Sequence, residues 1–97
     1  LRNRIDVIDD QLVRLLNVRV ACAVEVGRLK TEAGLPIYQP QRESQVLAKV
    51  RRSATDLAGP LTAEAVVRIF ERIIDEARRA ERLASNHGEV SDSRIGE

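Results

Sequence analysis

The chain has 97 residues, enough for one domain and close to the lower limit for a chain that buries a core of its own. Its 16 Lys and Arg against 15 Asp and Glu leave a net charge of +1, which excludes the bulk basic surface that nucleic acid requires, and no acidic block marks an interaction tail. A single cysteine, Cys22, and only Tyr38 and Phe70 as aromatics exclude an intramolecular disulfide and leave packed aliphatic helices as the expected architecture.

The first element is expected from Leu1 to Ala33. Ile5, Ile8, Leu12, Leu15, Cys22, Val26 and Leu29 step by three and four residues, the spacing of one apolar helix face. The same alternation places Arg19 in the seam, where a buried guanidinium costs several kcal/mol unless an anion meets it. Lys30 follows eleven residues later, about three whole turns on, so the two cations share a face ~16 Å apart along the axis. Such a pair frames a slot for a small dianion. Gly27 is the one internal helix breaker and suits a close helix contact. Gly34 is placed to cap the helix in the left-handed conformation, and Pro36 prevents its resumption. Cys22 reads as core.

After a short extended connection, Leu35 to Gln39, Pro40 opens a second helix at the position where its missing amide costs nothing. Val46, Leu47 and Val50 point inward, and the helix is expected to end near Ser53, with a loop from Ala54 to Pro60. Thr62 is the N-cap of a third helix, with Leu61 and Val66 placed as a hydrophobic staple. Val66, Phe70, Ile73, Ala77, Ala80 and Ala84 form its inward row, and Val67, Ile74 and Glu81 the adjoining one. Glu81 is thus a second charge on an inward face. From Ser85 to Glu97 the sequence turns polar and loses its period, so residues 1–84 are expected to form the domain and 85–97 a disordered tail. The sole histidine, His87, falls in that tail.

A first helix of roughly 50 Å is longer than a compact domain of this size is wide. The expected fold is therefore all-α, three helices intertwined in a homodimer, with a monomeric three-helix bundle as the alternative. No apolar run approaches the ~20 residues of a bilayer span and no signal peptide is visible, so no membrane partner is expected and the cytoplasm is the expected location.

The sequence has no Cys and His cluster, nucleophile elbow or glycine-rich phosphate loop, which argues against a metal enzyme or a triad hydrolase. What remains on inward faces is Arg19, Lys30, Arg42, Glu43 and Glu81, with Arg2 in the first turn. These groups suit a reaction that needs positioning and electrostatic stabilisation and no covalent help. Arg2 precedes Arg19 by seventeen residues, about 25 Å of helix, so any contribution of Arg2 to the same site comes from a partner chain. Each group also has a purely structural reading. Arg19 is able to snorkel or pair with a glutamate, Lys30 suits a helix C-terminus, and Arg42 suits a solvated first turn. Tyr38 reads as a lid over the core, and Arg51, Arg52, Arg78 and Arg79 as solvated helix surface.

The runs Leu15-Leu16-Asn17-Val18-Arg19 and Val24-Glu25-Val26-Gly27-Arg28-Leu29-Lys30, preceded by Leu1-Arg2 with Ile5, Ile8 and Asp9, carry a family resemblance. Pro36-Ile37, Arg42-Glu43 and Phe70 with Ile73-Ile74 complete it. Together they resemble the all-helical type of chorismate mutase over Leu1 to about Leu83. That resemblance implies a cofactor-free pericyclic rearrangement of chorismate to prephenate in a homodimer with shared sites. It implies that Arg19 and the partner chain's Arg2 grip the substrate carboxylates, that Lys30 reaches a carboxylate and the breaking ether oxygen, and that Glu43 takes the ring hydroxyl. Arg42 would support the site and Glu81 would flank the ether oxygen. Gln39 and Ala77 stand where an acidic and a small hydroxyl residue are more common. An isochorismate pyruvate lyase on the same fold, and a non-catalytic dimerisation or regulatory module of a larger enzyme, are the alternatives; the intact Arg42-Glu43 pair favours the mutase over the lyase.

Overall fold

The computed structural model describes residues 1–96, with side chains described for residues 1–85. Among the described residues the chain forms three helices, α1 (Arg2–Glu32), α2 (Pro40–Leu57) and α3 (Ala63–Gly96), and no strand. Helix α3 is the element against which both α1 and α2 pack.

The helix ends follow local chemistry. Gly34 adopts φ +72°, and the Leu35 and Gly34 amides donate to the Lys30 and Thr31 carbonyls at 2.8 and 3.1 Å. This paired arrangement is the Schellman cap that only a residue without Cβ enters freely. Thr62 Oγ1 accepts from the Ala65 amide at 3.0 Å, satisfying one of the unpaired donors at the start of α3.

Two ends differ from the sequence expectation. Helix α2 continues past Ser53 to Leu57, because nothing before Gly59-Pro60 obstructs it; Thr55 turns its hydroxyl back to the Arg51 carbonyl at 3.0 Å. Its left-handed cap then falls on Ala58, φ +50°, one residue before the glycine. An L-residue pays about 1 kcal/mol or more for that conformation. Ala58→Gly is therefore expected to stabilise the chain by about 0.5–1 kcal/mol after the greater unfolded-state freedom of glycine is deducted, read as a rise in the urea midpoint. Helix α3, expected to stop near Ala84, continues to Gly96. A polar stretch adds to an existing helix without a new nucleation cost. The side chains from 86 onward, His87 among them, and Glu97 lie outside the described residues.

The single chain has little interior. Its radius of gyration is 16.9 Å and its extents are 55 × 34 × 15 Å, against about 13 Å for a compact chain of one hundred residues. Ile74 and Ala77 are buried, as is Gly27. By contrast Ile5, Ile8, Leu12 and Leu15 in the first half of α1 keep 45–65% of their surface exposed. This is an elongated molecule with an open apolar seam along the first half of α1.

Candidate active site

The second half of α1, the linker, the first turns of α2 and the middle of α3 enclose a cleft of about 320 Å³. Helix α1 contributes Arg19, Cys22, Val26, Gly27 and Lys30, which return to one face every three or four residues. The linker adds Ile37 and Gln39, α2 adds Arg42, Glu43 and Val46, and α3 adds Ile74, Ala77, Arg78 and Glu81. Seven of the eight residues singled out in the sequence thus line one cavity. Arg2 does not; it lies in the first turn of the continuous helix α1, about 25 Å along the axis from Arg19.

Arg19 is half-buried and solves its burial problem on an aromatic face: its Cζ stands 5.8 Å from the centroid of the Phe70 ring. A cation over a ring is attracted by the ring quadrupole, so the guanidinium tolerates the seam without a carboxylate and keeps its hydrogen-bond donors for a ligand. Lys30 sits in the last turn of α1, where the helix dipole favours a cation. Its Nζ donates to Gln39 Oε1 at 2.6 Å, which holds the ammonium at the cleft and ties the linker to α1.

Glu81 packs against Gly27. A methyl built on that glycine would lie 3.6 Å from the Glu81 carboxyl carbon, an ordinary van der Waals contact, so the Glu81 side chain faces α1 at residue 27. Burial holds the Glu81 carboxyl above its ordinary value of 4.5, and the charge of Glu43 adds to the rise; Lys30, Arg78 and Arg82 oppose it. Desolvation is the largest cause, as expected for an acid on an inward face beside Ile74.

Three expectations are corrected. Cys22 is exposed within the chain and lines the cleft instead of a core, because the seam it belongs to is open on this side. Tyr38 is exposed and stacks on Arg78, whose Cζ is 5.8 Å from its ring centroid, instead of lying over the core. Arg78 is half-buried, not solvated surface. Its Nη2 donates to Glu43 Oε1 and to Asp75 Oδ1, both at 3.1 Å. Sequence reasoning missed it, although Ile74, Arg78 and Glu81 share the three-four spacing of one helix face; the adjacent Arg79 made the pair look like a solvated charge run. Among the described residues no group of three or more His, Cys, Asp or Glu is arranged to hold a metal ion, and no helix is long and apolar enough to cross a membrane.

An inward-facing set of cations with two carboxylates is an arrangement for gripping a small anion and stabilising developing charge. Residues 1–82 match the profile of the family chorismate mutase type II. The chain is 40% identical over 75 residues to a bifunctional chorismate mutase/prephenate dehydratase of Aquifex aeolicus, covering 76% of this chain and 21% of that protein. It is 37% identical over 81 residues to the T-protein of Enterobacter agglomerans, covering 84% and 21% respectively. The chain thus spans about a fifth of the length of these curated relatives. The solved chorismate mutase (Form II) of Thermus thermophilus superposes with a TM-score of 0.78 at 34% identity, covering 84% of this chain and 90% of that one.

Proposed function

The chain belongs to the chorismate mutase type II family, and from that premise we propose that it rearranges chorismate to prephenate, in aromatic amino-acid biosynthesis, using residues 1–84 and no cofactor. The observation that carries this reading is the single cleft that gathers Arg19, Lys30, Arg42, Glu43 and Glu81 from three helices.

The reaction breaks an ether C–O bond while a C–C bond forms, through a chair-like transition state in which negative charge grows on the ether oxygen. No general base or nucleophile takes part. The protein's task is to select the folded conformer and to bind the transition state more tightly than the ground state. Arg19 holds a substrate carboxylate through the fork of its guanidinium. Lys30 reaches a carboxylate and the ether oxygen, and Glu81 approaches that oxygen from the other side as a hydrogen-bond donor. Glu43 accepts from the ring hydroxyl, Arg42 supports the anion, and Gln39 and Ala77 complete the wall, Gln39 by steering Lys30.

The functional unit is a homodimer in which the partner's copy of α1 brings its Arg2 to this cleft. Support comes from the exposed seam of Ile5, Ile8, Leu12 and Leu15, since each such side chain gains ~1.5–3 kcal/mol when fully buried. It also comes from the distance that keeps Arg2 from its own chain's site. A dimer read by light scattering is expected at micromolar concentration, and a monodisperse monomer that still turns over chorismate would contradict it.

The direct test is spectrophotometric depletion of chorismate with prephenate as product. Purified chain is expected to consume chorismate and to release no appreciable pyruvate from isochorismate. Inactivity of a folded dimer toward chorismate would favour a binding or regulatory module instead.

A further inference from the structure

Among the cleft cations, Arg78 alone joins parts of the fold that are distant in sequence by two carboxylates and a ring. Its Nη2 donates to Glu43 of α2 and to Asp75 one turn back on its own helix, and its guanidinium lies against the Tyr38 ring of the linker. Its Nε is buried and has no hydrogen-bond partner among the described residues, so the group is held by its far end and by stacking.

That geometry separates Arg78 from Arg19, Lys30 and Arg42. One guanidinium shared by two carboxylates carries no surplus charge toward a dianion, so Arg78 is poorly placed to bind substrate itself. It is well placed to hold Glu43. A glutamate has three rotatable bonds, and a dianion entering the cleft repels it. The Arg78 bond engages Oε1 and leaves Oε2 to accept from a substrate donor, while the Tyr38 ring, 5.8 Å from Arg78 Cζ, adds a cation–π contact to the guanidinium that makes that bond.

We propose that Arg78 is a positioning residue for recognition of the substrate's ring hydroxyl, acting through Glu43. The inference rests on the reading of the cleft as a chorismate site. It makes hydroxyl recognition a relay of two residues, one from α2 and one from α3, and so couples selectivity to the packing of these two helices.

The test compares chorismate with an analogue that lacks the ring hydroxyl. Arg78→Ala is expected to lower kcat/KM for chorismate by about tenfold, chiefly through KM, because the hydroxyl that Glu43 holds takes no part in the bonds that form and break and is bound alike in ground state and transition state. Measured at mildly acidic pH, where Glu81 keeps its proton with or without the opposing charge of Arg78, turnover of the hydroxyl-free analogue is expected to be unchanged. Arg78→Lys keeps a donor for Glu43 but loses the planar fork and the stacking, and is expected to recover part of the chorismate rate; it carries the same comparison if the alanine variant does not fold. In a Glu43→Ala background, Arg78→Ala is expected to have no further effect on chorismate. Equal losses on both substrates would reduce Arg78 to a scaffold residue, and unchanged kinetics on both would remove it from the site. Either result overturns the proposal while wild-type turnover keeps the mutase reading intact; absence of wild-type turnover overturns that reading and the inference with it.

Discussion

Alanine at Arg19 or at Lys30 is expected to lower kcat/KM for chorismate by about 10²–10³-fold, the scale of removing one preorganised stabiliser of transition-state charge. Stability should fall far less than activity, by about 1 kcal/mol or a few degrees in melting temperature. Arg19 gives up its place over the Phe70 ring, worth about 0.5–1 kcal/mol, and Lys30 gives up one hydrogen bond to Gln39, worth about 1 kcal/mol. Among the described residues neither is the partner of a buried carboxylate in a direct salt bridge, so neither deletion strands an opposite charge in the interior. Activity lost only in proportion to stability would assign both cations structural roles. The shared-site arrangement adds a stronger outcome. When Arg2→Ala and Arg19→Ala chains are mixed in equal amounts, about half the dimers are mixed and one of their two sites regains both arginines, so about a quarter of the wild-type sites reappear. A mixture no more active than its parents, after subunit exchange is verified, would rule out the contribution of Arg2 across the interface.

The other large effect concerns Glu81 and pH. To donate a hydrogen bond to an ether oxygen that gains negative charge, a carboxyl must be protonated, and burial in the cleft already holds the Glu81 proton more tightly than water does. An anionic substrate strengthens that hold further. The rate is therefore expected to be highest at mildly acidic pH and to fall as pH rises through the bound-state value of Glu81. Glu81→Gln donates at every pH, so it should flatten the fall while keeping much of the acid-side rate. Lys30 opposes protonation of Glu81, so Lys30→Ala should shift whatever activity remains toward higher pH. Folding stability has a matching sign. A carboxyl whose folded-state value is raised binds more protons folded than unfolded, so its contribution is present below 4.5 and is lost as pH rises through the raised folded-state value. A wild-type profile without an alkaline fall, or an unchanged fall in Glu81→Gln, would leave Glu81 as an electrostatic neighbour of Lys30 and no donor.

The residues that the sequence places correctly are those whose position follows from helix periodicity and end chemistry alone. Arg19 and Lys30 come to one face because eleven residues are about three turns. Gly34 ends α1 and Thr62 begins α3 because a left-handed cap and an unpaired amide each call for one residue type. Glu43 and Glu81 stand out because charge on an inward row demands a reason. These rules act within a few residues, so they are legible without knowing what packs where.

Other features depend on neighbours remote in sequence, and only the tertiary structure decided them. Arg78 reads as surface until α2 brings Glu43 and the linker brings Tyr38 to it. Cys22 reads as core until the open seam exposes it. The desolvation that raises the Glu81 carboxyl comes from the cleft that all three helices build, which no spacing rule supplies. The end of α2 moved four residues, from Ser53 to Leu57, because helix propensity across Ala54 to Leu57 is nearly neutral and the stop comes from Gly59-Pro60 beyond it. Local chemistry thus determined which residues are unusual on their helices, whereas the crossing of α1 and α2 on α3 determined which of them meet and what each one meets.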